Sequence, residues 1–97
     1  MAARARREAI GALPGADLID KGLADLDRGI ESEEALLVSI GAPRLRRLGL
    51  DPRSPIPAPE HRLYERLAEQ DQDSAHSRYN ALVRRLVSFE RAAECAS

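Results

Sequence analysis

The stretch SEEALLVSIGAPRLRRLGL, residues 32–50, contains two short helical patterns separated by a Gly-Ala-Pro break. Ser32 is a favourable N-cap residue, and the two glutamates that follow it place negative charge in the first turn of a helix. Gly41 favours a helix end, and Pro43 suits the first turn of the next helix, where no N–H partner is needed. The stretch therefore predicts a helix, a tight turn and a second short helix that ends at Gly49.

The composition favours helices throughout the chain. Its 97 residues correspond to one domain, and 43% of them are apolar. Leucine and alanine, which are strong helix formers, are abundant, whereas the only aromatic residues are Tyr64, Tyr79 and Phe89. We therefore predict a single all-α domain over residues 1–97, a compact bundle of four to five helices.

A spacing of three to four between apolar residues predicts a helix over residues 16–30. The residues that carry this spacing are Leu18, Ile19, Leu23, Leu26 and Ile30. Gly22 and Gly29 interrupt the pattern and indicate close approach of another helix or, at Gly29, the end of this one. Residues 1–12 fit a frayed helix and a disordered terminus equally well.

A proline-rich connector and two further helices are predicted on the C-terminal side. Residues 50–59 carry four prolines, which indicate an extended segment with polyproline II character. Pro59 begins a helix whose expected inward-facing residues are Leu63, Tyr64 and Leu67. The last helix, residues 74–96, has an inward-facing stripe formed by Tyr79, Leu82, Leu86, Phe89 and Ala93.

Charge is segregated along the chain although the net charge is only −1. Residues 8–34 hold eight acids against Lys21 and Arg28, whereas residues 78–94 hold four arginines against two glutamates. Such alternation suits a protein that neutralises itself between helices, or one that docks on a charged partner. The arginines of the last helix, Arg78, Arg84, Arg85 and Arg91, are therefore expected either to pair with the acids of residues 17–34 or to face an acidic partner.

Several classes of protein are not expected from this sequence. Cys95 is the only cysteine, so an intramolecular disulfide is excluded. The N-terminal arginines precede no apolar run, and no apolar stretch approaches the ~20 residues that span a bilayer. We therefore expect a cytoplasmic protein with no membrane association.

Neither metal binding nor catalysis is expected. His61 and His76 lack a second ligand at metal-binding spacing, and Cys95 has no nearby cysteine. Asp73, Ser74 and His76 are neighbours at one helix start and cannot converge as a catalytic triad does. The sequence also lacks a glycine-rich phosphate loop after a strand. We predict a non-enzymatic protein without a cofactor.

Residues 32–50 also have the outline of a DNA-reading helix-turn-helix. The arginines of the second short helix would then contact phosphates or base edges. Three features count against this reading: the second helix has barely two turns, Ser39 stands where such turns often carry glycine, and the acidic helix upstream would repel phosphate. A DNA-binding regulator is thus the alternative to protein docking, and DNA is the less favoured partner.

Two blocks, EEALLVSIGAPRLRRLGL at residues 33–50 and EHRLYERLAEQDQDSAHSRYNALVRRLVSFERA at residues 60–92, resemble small helical bacterial proteins encoded beside nucleotidyltransferases of the AbiEii toxin type. The resemblance covers about half the chain and includes no catalytic motif, so it transfers no functional residue. It implies an antitoxin-like protein that binds and restrains, or guides, the neighbouring enzyme.

These observations predict a protein–protein interaction module. We expect it to act by occlusion, with an apolar edge and an arginine rim covering an acidic or substrate-binding face of the partner, a nucleotidyltransferase-type toxin being one candidate. The arginines expected in this rim are Arg44, Arg46, Arg47, Arg84 and Arg85. A chain with so small a core is also a candidate for a homodimer that buries its two C-terminal helices.

Overall fold

A computed structural model describes residues 10–96, and these residues form an all-α structure, as predicted. Its helices are α1 (Ala16–Asp27), α2 (Glu33–Ile40), α3 (Ala42–Arg47), α4 (Pro59–Gln70) and α5 (Ala75–Ala96). The opening stretch forms α2 and α3, and the proline-rich connector joins α3 to α4. Within the described range, no helix combines the length and apolar character that crossing a membrane requires.

The short helix α2 lies at the centre of the molecule. It contacts all four other helices, and residues 35–39 are buried in succession. A helix that is apolar around its whole circumference is typical of a core element. The predicted N-cap is confirmed, because the Ser32 hydroxyl oxygen accepts a hydrogen bond from the Ala35 N–H at 3.0 Å. Leu36 and Leu37 are fully buried, and each contributes about 1.5–3 kcal/mol through its burial.

Gly22 allows α1 to lie directly against α2. A Cβ atom at this position would overlap the Glu34 carbonyl oxygen and would lie 2.7 Å from Val38 Cγ1. The close approach expected of a glycine in this helix is therefore confirmed at Gly22. Beside the crossing, the Asp25 carboxylate accepts hydrogen bonds from Lys21 at 2.7 Å and from Ser32 at 2.6 Å.

The end of α1 differs from the prediction of a helix continuing to residue 30. The helix ends at Asp27, and Gly29 adopts a left-handed conformation with φ of 70°. The Ile30 N–H then donates to the Asp25 carbonyl oxygen at 2.8 Å. Of the two roles considered for Gly29, helix termination is the one observed, because glycine adopts positive φ without steric strain.

Ser39 ties the connector to the core. Its hydroxyl donates to the Ala35 carbonyl oxygen at 2.8 Å and accepts a hydrogen bond from the Ile56 N–H at 3.0 Å. Pro52 is fully buried. The connector is therefore bonded to α2 through Ser39 and buries Pro52, instead of passing freely over the surface.

The helices α4 and α5 pack against each other and against α2. The predicted inward positions Leu63, Leu67, Leu86 and Phe89 are all buried. The prediction for Tyr64 is wrong: its side chain is 40% exposed. Its ring packs edge-on against Tyr79 with 5.8 Å between centroids, so the ring lies at the margin of the core, where its hydroxyl can stay in water.

The prediction for residues 1–12 falls mostly outside the described residues, which begin at residue 10. Ile10 is buried at 5% exposure and belongs to the main apolar core. Gly11 and Ala12 are exposed. The core therefore extends to a residue that the sequence pattern had assigned to the uncertain terminus.

Candidate functional site

Arg44, one of the five predicted rim residues, is an internal ion-pair partner. Its Nε donates to Glu94 Oε1 at 2.6 Å, and its Nη1 lies 3.5 Å from Glu90 Oε1. The hydrogen bond from Arg44 is the main cause that lowers the pKa of Glu94. Arg44 is half-buried and links α3 to the C-terminal part of α5.

Glu90 is the most deeply buried ionisable group among residues 10–96, at 3% exposure. Its Oε2 has no hydrogen-bond partner and lies where a Cβ on Gly41 would approach to 2.9 Å. Burial raises the pKa of this carboxyl group, while Arg44 and Arg47 oppose the rise. A carboxylate with one unsatisfied oxygen therefore lies beneath the junction of α2 and α3.

The other two arginines of α3 differ from each other. Arg46 Nη2 donates to the Pro52 carbonyl oxygen at 3.1 Å and so holds the connector. Arg47 is exposed and forms no ion pair with a residue in the described range. Its positive charge contributes to the low pKa of Glu94, as does that of Arg91. Arg47 and Arg91 are therefore both close to this carboxylate.

Arg84 and Arg85 lie on the outer part of α5 and are both exposed. With Pro14, Gly15 and Ser88 they line a shallow, open hollow beside the N-terminal end of α1. Neither forms an ion pair with any part of the chain that the structure describes. Two of the five predicted residues thus present to the exterior guanidinium groups that have no ion-pair partner in residues 10–96.

The alternative in which the α5 arginines pair with the acids of residues 17–34 is confirmed for one residue. Arg78 Nη2 lies 3.5 Å from Glu33 Oε1, and its Nη1 donates to the Gln70 side-chain oxygen at 2.8 Å. Other acids of this segment pair with Lys21 and Arg62. The remaining α5 arginines form no ion pair with an acid of this segment, although three of its aspartates have no such partner in the described range either: Asp17, Asp20 and Asp27.

The predicted rim is therefore divided by the fold. Arg44 and Arg46 bond to other parts of the fold, whereas Arg47, Arg84 and Arg85 are exposed and form no ion pair in the described range. Arg91, which the predicted set left out, is also exposed; its position seven residues after Arg84 was the available signal, because that spacing returns to the same side of a helix. We refer to Arg47, Arg84, Arg85 and Arg91 together as the basic surface.

The predicted apolar edge does not accompany this surface. Within residues 10–96, the large hydrophobic side chains with high exposure are Ile30 and Tyr64. Ile30 lines a separate groove between the α1–α2 loop and the connector. Neither residue lines the hollow at Arg84 and Arg85.

The two histidines make local contacts on their own helices. His61 Nε2 lies 2.8 Å from Glu65 Oε1, and His76 lies 3.2 Å from the Asn80 side-chain nitrogen. In the described part of the chain, no three His, Cys, Asp or Glu side chains are grouped so that they could hold a metal ion. Each histidine therefore contacts a residue one helical turn away on the surface of its own helix.

The geometry of α2 and α3 differs from that of a helix-turn-helix motif. Gly41 alone separates the two helices, whereas such motifs use a turn of three to four residues. With six residues, α3 is about 9 Å long, and two of its arginines are already engaged. Among the three, only Arg47 forms no hydrogen bond or ion pair with the described residues.

Comparisons with known proteins add no relative: no protein-family model, no curated protein and no solved structure matches this chain. The resemblance to proteins encoded beside AbiEii-type nucleotidyltransferases therefore stays a prediction.

Proposed function

We propose that this protein is an interaction module that binds an acidic surface of a partner protein through its basic surface. The observation that supports this proposal is the exposure of Arg84 and Arg85 without an ion-pair partner in residues 10–96. The chain carries sixteen acidic residues, and those among residues 10–96 that form ion pairs do so with other cations. Exposed arginines that find no ion-pair partner in residues 10–96, in a chain with so many acids, support a binding role more strongly than arginine content alone.

Arginine is suited to this contact. Its planar guanidinium group can donate two parallel hydrogen bonds to one carboxylate, and it remains charged at any physiological pH. Exposed ion pairs contribute only about 0–1 kcal/mol each. The basic surface would therefore determine the orientation and rate of docking, and additional contacts from the partner would determine its lifetime.

Occlusion is the proposed mechanism. A partner bound to α5 would have its acidic face covered by the helical bundle. The apolar core of the bundle, which includes the buried residues of α2, would stay buried. We propose the cytoplasm as the compartment for this interaction. A nucleotidyltransferase-type toxin is one candidate partner, and it comes from the sequence resemblance alone.

The experiment is a capture from a bacterial lysate followed by mass spectrometry, and then a titration with a purified partner. Wild-type protein is compared with Arg84→Glu/Arg85→Glu. The matched control is Arg28→Glu/Arg53→Glu, which changes the net charge equally at two exposed positions outside the basic surface. We expect the control to retain the partner and the first variant to lose it. Equal capture by both variants would contradict the proposal.

A second titration separates a protein partner from DNA. A labelled oligoglutamate peptide and a labelled duplex DNA are each titrated with wild-type protein at increasing salt. We expect the peptide to bind and reversal of Arg84 and Arg85 to weaken its binding about tenfold, equivalent to about 1.4 kcal/mol. Tighter binding of DNA, with a steep loss of affinity as salt rises, would favour the DNA-binding alternative instead.

A further inference from the structure

Two exposed helix faces carry charges of opposite sign at the same spacing. Asp20 and Asp27 lie on α1, and Arg84 and Arg91 lie on α5; all four side chains are exposed. Seven residues correspond to almost two helical turns, so the two charges of each pair lie on one side of their helix, about 10 Å apart. The two faces are therefore complementary in charge and in spacing.

None of these four residues forms an ion pair with another residue in the described range. Four other acids of the same region do: Asp25 and Glu34 contact Lys21, Glu31 contacts Arg62, and Glu33 contacts Arg78. Asp17, three residues before Asp20, forms no ion pair in the described range either. The two aspartates therefore belong, with Asp17, to a group of acids on α1 that have no ion-pair partner in the described range.

Small side chains separate the charges on both faces. Ala24 lies between Asp20 and Asp27, and Ser88 lies between Arg84 and Arg91; both are exposed. A small residue at the centre of each face leaves room for two helices to pack at the usual distance of about 8–10 Å. At that distance an arginine side chain easily reaches an aspartate on the facing helix.

We infer that the acidic face of α1 in one copy of this chain docks on the basic face of α5 in a second copy. Asp20 and Asp27 would each pair with one of the arginines Arg84 and Arg91. The net charge of −1 keeps long-range repulsion between copies small. The contact joins two different surfaces, so it either closes into a ring or repeats from head to tail.

This inference shares the basic surface with the proposed function. A copy docked on Arg84 and Arg91 covers the surface that an acidic partner would use, so self-association and partner binding compete. The predicted homodimer through α4 and α5 is a different arrangement, because here α1 supplies half of the contact.

The experiment uses sedimentation equilibrium of the full chain over a range of concentrations, at about 0.02 M and about 0.5 M salt. We expect weak association that decreases at high salt. Two charge reversals, Arg84→Glu/Arg91→Glu and Asp20→Arg/Asp27→Arg, should each abolish it. An equimolar mixture of these two variants should associate again, since each supplies the face that the other has lost.

Glu65→Arg/Glu69→Arg is the control for the aspartate variant, because it makes the same change of charge at exposed positions on α4. It should associate like wild-type protein. Circular dichroism checks the folding of every variant, and the milder Arg→Gln and Asp→Asn changes replace any that unfolds. A wild-type chain that is monomeric at all concentrations and both salts would overturn the inference, as would a mixture that stays monomeric.

Partner capture distinguishes this inference from the proposed function. Asp20→Arg/Asp27→Arg lacks self-association but keeps the basic surface, so it should capture an acidic partner at least as well as wild-type protein. If wild-type protein is monomeric and still captures that partner, the inference fails and the proposed function stands.

Discussion

The central helix α2 and the outer face of α5 differ in how the chain treats their polar groups. In α2 the Ser32 hydroxyl caps the helix, and the Ser39 hydroxyl makes two hydrogen bonds within the fold. On α5 the side chains of Arg84, Ser88 and Arg91 are exposed and make no hydrogen bond or ion pair with the described residues. The polar side chains at α2 are therefore used in hydrogen bonds that hold the fold together, whereas those on the outer face of α5 have no such role among the described residues.

This difference separates arginines that look alike in the sequence. Arg44 and Arg46 belong with α2, because they hold α3 and the connector against the core. Arg84 and Arg85 have no such role. The comparison therefore predicts that substitutions near α2 change stability, while substitutions on the outer face of α5 change binding.

The largest effect is expected where α1 crosses α2. In Gly22→Ala the new methyl group would overlap the Glu34 carbonyl oxygen, which is backbone and cannot turn aside. We expect a loss of about 3 kcal/mol in the free energy of unfolding, the upper part of the range for overpacking. Urea denaturation measures this value.

Gly11→Ala makes the same substitution at a site with nothing within 4 Å of the added Cβ. Its stability should equal or slightly exceed that of wild-type protein, since alanine is the better helix former. If both variants lost a similar amount of stability, the close contact between α1 and α2 could not be the cause of the loss.

A smaller effect is expected at Ser39. In Ser39→Ala the Ile56 N–H loses its hydrogen-bond acceptor in a partly buried position, which should cost about 1–2 kcal/mol. Ser88→Ala makes the same change on the outer face of α5, where it should change stability by only a few tenths of a kcal/mol. Thermal unfolding of both variants tests the comparison directly, and equal melting temperatures would contradict it.

The fold followed from local signals in the sequence. The cap at Ser32, the glycines and the prolines predicted where α2 and α3 begin and end and where α4 begins, because each of these residues has a strong conformational preference. The extra turn predicted for α1 and the inward orientation of Tyr64 were wrong. The left-handed conformation of Gly29 ends α1 before residue 30. Tyr64 lies at the margin of the core and is therefore partly exposed.

The candidate site was predicted only in part. Local pattern identified the arginines but could not sort them, since the partners of Arg44 lie forty-six and fifty residues away along the chain. The burial of Glu90 was not predicted at all. A glutamate on an otherwise arginine-rich helix is ordinarily exposed, and only the packing of Gly41 and Leu86 around it explains its position.

Glu90 lies between α2 and the outer face of α5. Its substitution is expected to change the free energy of unfolding less than Gly22→Ala or Ser39→Ala. Its folded-state pKa is raised above the ordinary value of 4.5, mainly by burial. Its contribution to stability is therefore fully present below pH 4.5 and is lost as the pH rises through the raised value. Glu90→Gln removes the buried charge, while Arg44 keeps its hydrogen bond to Glu94. We expect this variant to be more stable than wild-type protein by about 1 kcal/mol at pH 7, with the advantage disappearing below pH 4.5.

Glu94→Gln supplies a control of opposite sign. The hydrogen bond from Arg44 lowers the pKa of Glu94, so this carboxylate stabilises the fold above its ordinary pKa and the stabilisation is lost on acidification. The variant should therefore be less stable than wild-type protein at pH 7 and similar to it in acid. Urea denaturation of both variants across this pH range measures the two differences. Destabilisation by Glu90→Gln at pH 7 would show that its pairing with Arg44 outweighs the cost of burying its charge.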